Sequence, residues 1–85
     1  MDDEVARSIQ ESSERAADAA ERTARAHERA ADEHERHADV AEQLGETLEE
    51  THRARERARQ TRKTAARDRE VAALERAIAR RSAPE

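Results

Sequence analysis

Apolar and polar positions recur along this chain with a period of seven residues. From Glu14 the sequence divides into segments of seven that begin with glutamate, and only Lys63 interrupts that column between residues 14 and 70. Small apolar residues recur between the charged ones at steps of three and four, as one face of an α-helix requires. A sustained heptad is typical of long helices that pack along one seam.

Two helices are predicted, with a break at the only glycine of the chain. Helix-forming residues dominate elsewhere, and the only proline is Pro84. Gly45 can supply the left-handed residue that ends a helix, and Thr47 followed by Glu50 makes a capping box for the next one. We therefore predict an all-α fold with a single helical domain over 1–85. It is a long antiparallel two-helix hairpin with helices at about 4–44 and 48–81 and a turn at about 45–47.

Two alternatives to the hairpin remain open at this point. The heptad continues through Gly45 without a shift, so the chain could form one continuous helix in an antiparallel dimer. The chain could also be disordered when isolated, because 45% of its residues are charged and low hydrophobicity with high charge is typical of disorder.

The predicted seam is rich in alanine, which allows two helices to approach closely. Leu44 and Leu48 are expected to anchor its turn end, and the larger residues near the termini are expected to close the other end. The predicted seam residues are Val5, Ile9, Ala16, Ala20, Ala24, Ala31, Ala38, Ala41, Leu44, Leu48, Ala58, Ala65, Val71, Leu74 and Ile78.

The charges are divided between the two halves of the chain. Residues 1–50 hold sixteen acidic and six basic side chains, whereas residues 51–85 hold five acidic and eleven basic ones. This division favours antiparallel packing, since charge matching selects helix orientation. A fold at Gly45 predicts that four arginines lie near four acidic residues: Arg57, Arg59, Arg69 and Arg76 near Glu35, Asp32, Glu21 and Glu14, respectively.

The histidines are the only residues whose side chains clearly suggest metal binding or proton exchange. A hairpin could bring His34, His37 and His52 together with nearby carboxylates, and imidazole and carboxylate are zinc and iron ligands. Their spacing matches no established metal motif, so the favoured interpretation is that histidines fill half-polar seam positions and that no metal or cofactor is bound. Protonation of all four, including His27, predicts looser helix pairing at pH 5 than at pH 7.5.

The basic segment Arg53–Arg69 is the second candidate site. Within it and just beyond, residues 62–70 read RKTAARDRE, and two alanines that precede arginines resemble the basic region of leucine-zipper transcription factors. The resemblance implies DNA contact, but Arg62 stands where that family carries its base-reading asparagine. No aromatic residue is present to stack on bases. A solvated face matched to the acidic half is the preferred interpretation, with nucleic acid binding as an alternative.

The remaining composition indicates a protein that is not an enzyme. It has no cysteine, no glycine-rich phosphate loop and no apolar run near the ~20 residues of a membrane span. We expect a cytoplasmic, bacterial coiled-coil interaction or scaffold protein that acts through helix–helix association. The expected partner is a second copy or another helical protein. A stress-protective chain that folds on crowding or drying is a further alternative.

Overall fold

The protein is an antiparallel hairpin of two long helices. The computed structural model describes residues 2–84, in which α1 spans Asp3–Gln43 and α2 spans Leu48–Ser82. The Cα atoms extend over 64 × 13 × 12 Å. The predicted all-α hairpin is therefore confirmed, and the single continuous helix does not apply to this chain. Within residues 2–84, neither helix is long and apolar enough to cross a membrane.

Gly45 ends α1 by adopting a left-handed conformation. Its φ angle is +75°, and its N–H donates to the carbonyl of Glu42 at 3.2 Å. The N–H of Glu46 donates to the carbonyl of Ala41 at 2.9 Å. These two bonds form a Schellman motif, which satisfies carbonyl groups that the last helical turn leaves without partners.

Side-chain caps begin both helices. The Thr47 hydroxyl accepts a hydrogen bond from the N–H of Glu50 at 3.2 Å, which is the forward half of the predicted capping box. Asp2 does the same for α1 by accepting from the N–H of Glu4 at 3.2 Å. Basic residues in the last turn of α2, Arg80 and Arg81, suit the negative end of its dipole.

The two helices meet along columns of very small side chains. Among residues 2–84, every buried side chain is alanine, serine or threonine. Seven-residue steps separate Ala17, Ala24, Ala31 and Ala38 on α1, each with no exposed area. Their counterparts on α2 are Thr51, Ala58, Ala65, Ala72 and Ala79. Such side chains let the two backbones approach closely, so the core is thin and contains no large aliphatic residue.

The structure places only part of the predicted seam between the helices. Six of the predicted residues are buried there: Ala24, Ala31, Ala38, Ala41, Ala58 and Ala65. Two are half-buried, Ile9 and Ala20. The other seven are exposed: Val5, Ala16, Leu44, Leu48, Val71, Leu74 and Ile78. Leu44 and Leu48 therefore do not anchor the turn end of this helix pair as predicted, since Leu44 is 72% exposed and Leu48 is 79% exposed.

The difference arises because alanine size, rather than side-chain hydrophobicity, determines which face is buried. The seam keeps one heptad frame along α2 through Ala65, Ala72 and Ala79. The seam predicted from the sequence instead shifts to a different column at Val71, because it follows the larger aliphatic residues. Those larger side chains do not fit where the two backbones come closest, so they lie beside the seam.

Candidate interaction surface

One side of the hairpin carries a regular series of ion pairs between the helices. Four arginines of α2 recur every seven residues, and each contacts a glutamate of α1 in the corresponding heptad column. Arg55 contacts Glu42 at 2.6 Å, and Arg69 contacts Glu28 at 2.6 Å. Together with Arg62–Glu35 and Arg76–Glu21, they form what we call the ion-pair ladder.

Three arginines of the ion-pair ladder also contact an aspartate three residues before the glutamate. The second partners are Asp39 for Arg55, Asp32 for Arg62 and Asp18 for Arg76. The hydrogen bond to Glu42 raises the pKa of Arg55 above its ordinary value. Hydrogen bonds to Glu35 and Glu21 do the same for the pKa of Arg62 and of Arg76.

The charge matching between the halves is as expected, but the individual pairs differ from the prediction. Arg69 contacts Glu28 instead of Glu21, and Arg76 contacts Glu21 instead of Glu14, which is a shift of one heptad. Side chains of a helix tilt toward its N-terminus. In antiparallel helices, arginines of α2 therefore lean toward the turn and glutamates of α1 lean away from it.

Arg57 and Arg59 are also placed differently from the prediction. Arg62 contacts both of the acidic residues expected for them, Glu35 and Asp32. Arg59 instead contacts Glu56 of its own helix at 2.6 Å. That hydrogen bond lowers the pKa of Glu56.

The three histidines considered as metal ligands do not converge. His34 is half-buried in the seam, whereas His37 and His52 are exposed and belong to heptad columns on opposite sides of the hairpin. Within residues 2–84, no group of three or more histidine, aspartate or glutamate side chains is arranged to hold a metal ion.

His27 forms a contact that the sequence pattern did not reveal. Its Nδ1 lies 2.8 Å from Oδ2 of Asp68 on α2, and the side chains are 37% and 24% exposed. Protonation of the ring converts this hydrogen bond into an ion pair. At this position the structure therefore argues against looser helix pairing in mild acid.

Most of the basic segment Arg53–Arg69 is engaged in contacts with carboxylates. Five of its eight basic residues form ion pairs: Arg53, Arg55, Arg59, Arg62 and Arg69. Three of these contacts reach across to α1. The segment is thus a face whose charges are matched by carboxylates, as the preferred interpretation of the sequence expects. It leaves fewer cations for phosphate contacts than the number of basic residues in the segment suggests.

The opposite side of the hairpin carries the large aliphatic side chains. Seven of the eight in the chain lie in two adjacent heptad columns of each helix, on the side turned away from the ion-pair ladder. Leu48 is the exception and shares the column of Arg55. We call this surface the aliphatic flank: Val5, Ile9, Val40, Leu44, Val71, Leu74 and Ile78.

The aliphatic flank is exposed along most of its length. Ile9 is half-buried, and the other six residues are between 41% and 72% exposed. Five of the seven gather over the half of the hairpin away from the turn, where small residues such as Ala16 and Ala19 separate them. The sequence does contain the signal for this flank. If the alanine columns are assigned to the seam along both helices, the large aliphatic residues all fall in the columns beside it, except Leu48.

Shallow grooves occur on the ladder side between successive arginines. One groove is lined by Glu21, Arg69, Ala72, Ala73 and Arg76, and another by Glu28, Arg62, Ala65, Ala66 and Arg69. They follow from the heptad, because a long arginine alternates with small residues along α2. Both are open to solvent and lined largely by side chains already engaged in ion pairs.

Comparison with known proteins adds no functional assignment. No protein-family model matches the chain, and no curated protein or solved structure matches it significantly.

Proposed function

We propose that this protein is a non-enzymatic coiled-coil interaction or scaffold protein that acts through helix–helix association at the aliphatic flank. The observation that carries the proposal is the location of the large aliphatic residues. Seven of eight share one side of the rod, and none contributes to the buried seam. Apolar side chains concentrated on one exposed face are typical of an interaction site.

The helical form of the flank supports a helical partner. On α2 its residues follow steps of three and four, at Val71, Leu74 and Ile78, and on α1 they form two pairs four residues apart, Val5 with Ile9 and Val40 with Leu44. A surface with this spacing presents ridges and grooves that match those of another helix. The ion-pair ladder supports the same role, because it holds α1 and α2 at a fixed register and leaves the opposite side free for a partner.

In an isolated hairpin the exposed aliphatic residues contribute little burial free energy to folding. Full burial of one such side chain is worth roughly 1.5–3 kcal/mol, and the hairpin leaves six residues of the flank mostly or substantially exposed. A partner helix laid on the flank would bury them and add stability to a fold whose own core is made of alanine. Association through this surface therefore serves both binding and folding.

A photo-crosslinking experiment in the native cells tests this function. A photoreactive amino acid replaces Leu74 on the aliphatic flank, or Ala73 on the ladder side as the matched control. We expect covalent adducts with a helical protein, or with the chain itself, from position 74 and few or none from position 73. Equal adducts from the two positions, or none from position 74, would contradict the proposal.

A further inference from the structure

The charged residues bordering the aliphatic flank are distributed unequally between the helices. Next to the aliphatic residues, α2 carries four arginines, Arg53, Arg57, Arg67 and Arg81, with Glu50 near the turn. The corresponding columns of α1 carry Glu33 and the titratable His37. Over their whole lengths, α1 has twelve acidic and six basic residues and α2 has six acidic and eleven basic ones, which gives net charges of −6 and +5.

From this distribution we propose that the aliphatic flank binds a second copy of this chain to form a four-helix bundle. The two-fold axis runs parallel to the long axis of the hairpin, so that α1 of each copy lies on α2 of the other and both turns are at the same end. The proposal rests on the proposed function and specifies its partner. Each acidic helix then has basic helices as its two neighbours, and helices of like charge lie on the diagonals.

The positions of the aliphatic residues favour this axis over the other face-to-face arrangement. A two-fold axis perpendicular to the hairpin could also bring the five aliphatics far from the turn together. It would stack the hairpins in opposite directions, however, and leave Val40 and Leu44 near the turn uncovered. It would also place α2 on α2, so that Arg67 on one side of Leu74 would meet Arg81 of the other copy.

The parallel axis avoids both problems. Val40 and Leu44 of one copy lie at the same level as Arg53 and Glu50 of the other, where the long arginine stem can cover apolar surface while its charge stays in water. Away from the turn, Val71, Leu74 and Ile78 of each copy cover the small residues of α1 in the other. Closed two-fold symmetry of this kind is the commonest form of homo-oligomer.

The oligomeric state is the first test. We expect sedimentation equilibrium with light scattering, between about 5 and 500 μM, to give a dimer mass for the unaltered chain. The double variant Val71→Glu/Leu74→Glu should dissociate at least tenfold more readily. Ala66→Glu/Ala73→Glu is the matched control, since it adds the same charge to exposed positions of α2 on the ladder side. A monomer throughout this range, a mass other than the dimer, or equal weakening by the control would overturn the proposal.

Single cysteines then test the direction of the axis, because the chain has no cysteine of its own. Ala30 and Thr64 lie at the same level on the two helices, and neither has a large aliphatic or a charged side chain. A mixture of Ala30→Cys and Thr64→Cys proteins should form a disulfide between the two different chains more readily than either variant forms one with itself. Preferential crosslinking of identical chains would overturn the parallel axis.

The two experiments separate this proposal from the function on which it rests. If the purified chain is monomeric but position 74 still crosslinks a different helical protein in cells, the second copy is the wrong partner and the function stands. If the chain neither dimerises nor crosslinks from position 74, both fail.

Discussion

At the scale of single residues, arginine lets one side chain of α2 bind two carboxylates of α1. The guanidinium group presents several donors in a fixed plane, whereas a lysine ammonium is a compact point charge. Arg62 uses one terminal nitrogen for Glu35 and the other for Asp32, the latter at 2.9 Å. Sixteen of the seventeen basic residues are arginine, and the ion-pair ladder gives that preference a structural use.

The ladder has one incomplete position, and we expect it to be improvable. Arg69 contacts Glu28, but the residue three before Glu28 is Arg25, where the other three heptads have aspartate. Arg25→Asp should give Arg69 a second carboxylate. Relative to Arg29→Asp, the gain in free energy of unfolding should be about 0.2–1 kcal/mol, the range of exposed ion pairs.

Arg29→Asp is the control because it makes the same change of residue type on the outer edge of α1, beyond the reach of Arg69. Urea denaturation of the two variants at low salt measures the difference. The difference should disappear when Arg69→Gln is added to both. Equal stability of the two single variants would show that the aspartates of the ladder contribute nothing.

At the scale of secondary-structure elements, local chemistry made the helices and the turn predictable. Gly45 and Thr47 each act within a few residues of their own position, so their roles can be read from the sequence. The seam was harder to predict, because it depends on how closely two distant segments approach. Val71 and Ala72 are neighbours in sequence, and only the frame of α1 determines that the alanine faces inward.

The individual ion pairs and the aliphatic flank are also difficult to predict from the sequence, because both depend on how the two helices pack. Charge segregation predicts that α1 and α2 attract each other, but the particular partners depend on the opposite tilts of side chains on antiparallel helices. The flank depends on the seam, since a side chain can be assigned to the outside only when the inside is known. His27 and Asp68, 41 residues apart, meet for the same reason.

Because the helices approach closely, we expect stability to depend strongly on side-chain size at a seam position and hardly at all at the next residue. Ala65 is 2% exposed in the seam, and Ala66 is exposed on the ladder side. Ala65→Leu should lower the free energy of unfolding by about 1–3 kcal/mol, the usual cost of overpacking. Ala66→Leu should change it by less than about 0.5 kcal/mol, as is typical of surface substitutions.

Urea denaturation monitored by circular dichroism compares these two variants with the unaltered chain. Leucine has nearly the same helix propensity as alanine, so the local helix is little affected by either change. A result in which Ala65→Leu is as stable as Ala66→Leu would mean that the helices can separate without penalty, and that the alanine columns do not set their distance.

At the scale of the whole molecule, acid should act on the hairpin in two separate ranges of pH. In model peptides imidazole is protonated at about pH 6.5 and carboxyl groups at about pH 4, so mild acid is the range in which a histidine can be charged beside an ionised carboxylate. His27 then forms an ion pair with Asp68, and the net charge of the chain moves from −4 toward zero. The hairpin should therefore be at least as stable at pH 5 as at pH 7.5.

When stronger acid protonates carboxylates, the arginines of the ion-pair ladder lose their charged acceptors on α1. The hydrogen bond from Arg59 of the same helix lowers the pKa of Glu56, so this pair stabilises α2 above the ordinary pKa of a glutamate, and that stabilisation is lost as the pH falls through the lowered value. With every carboxyl group protonated, seventeen lysines and arginines and four histidines leave a charge of +21. The thin alanine core has few aliphatic contacts to oppose that repulsion.

Thermal melts followed by circular dichroism at pH 7.5, 5 and 3, in constant salt, measure both ranges. We expect an equal or higher melting temperature at pH 5 and a clear decrease at pH 3, with partial recovery in 0.5 M salt because salt screens the repulsion. A large decrease already at pH 5 would mean that histidines in the seam repel more than the His27–Asp68 contact attracts. Helix pairing would then be controlled by the imidazoles in the seam rather than by the carboxylates of the ladder.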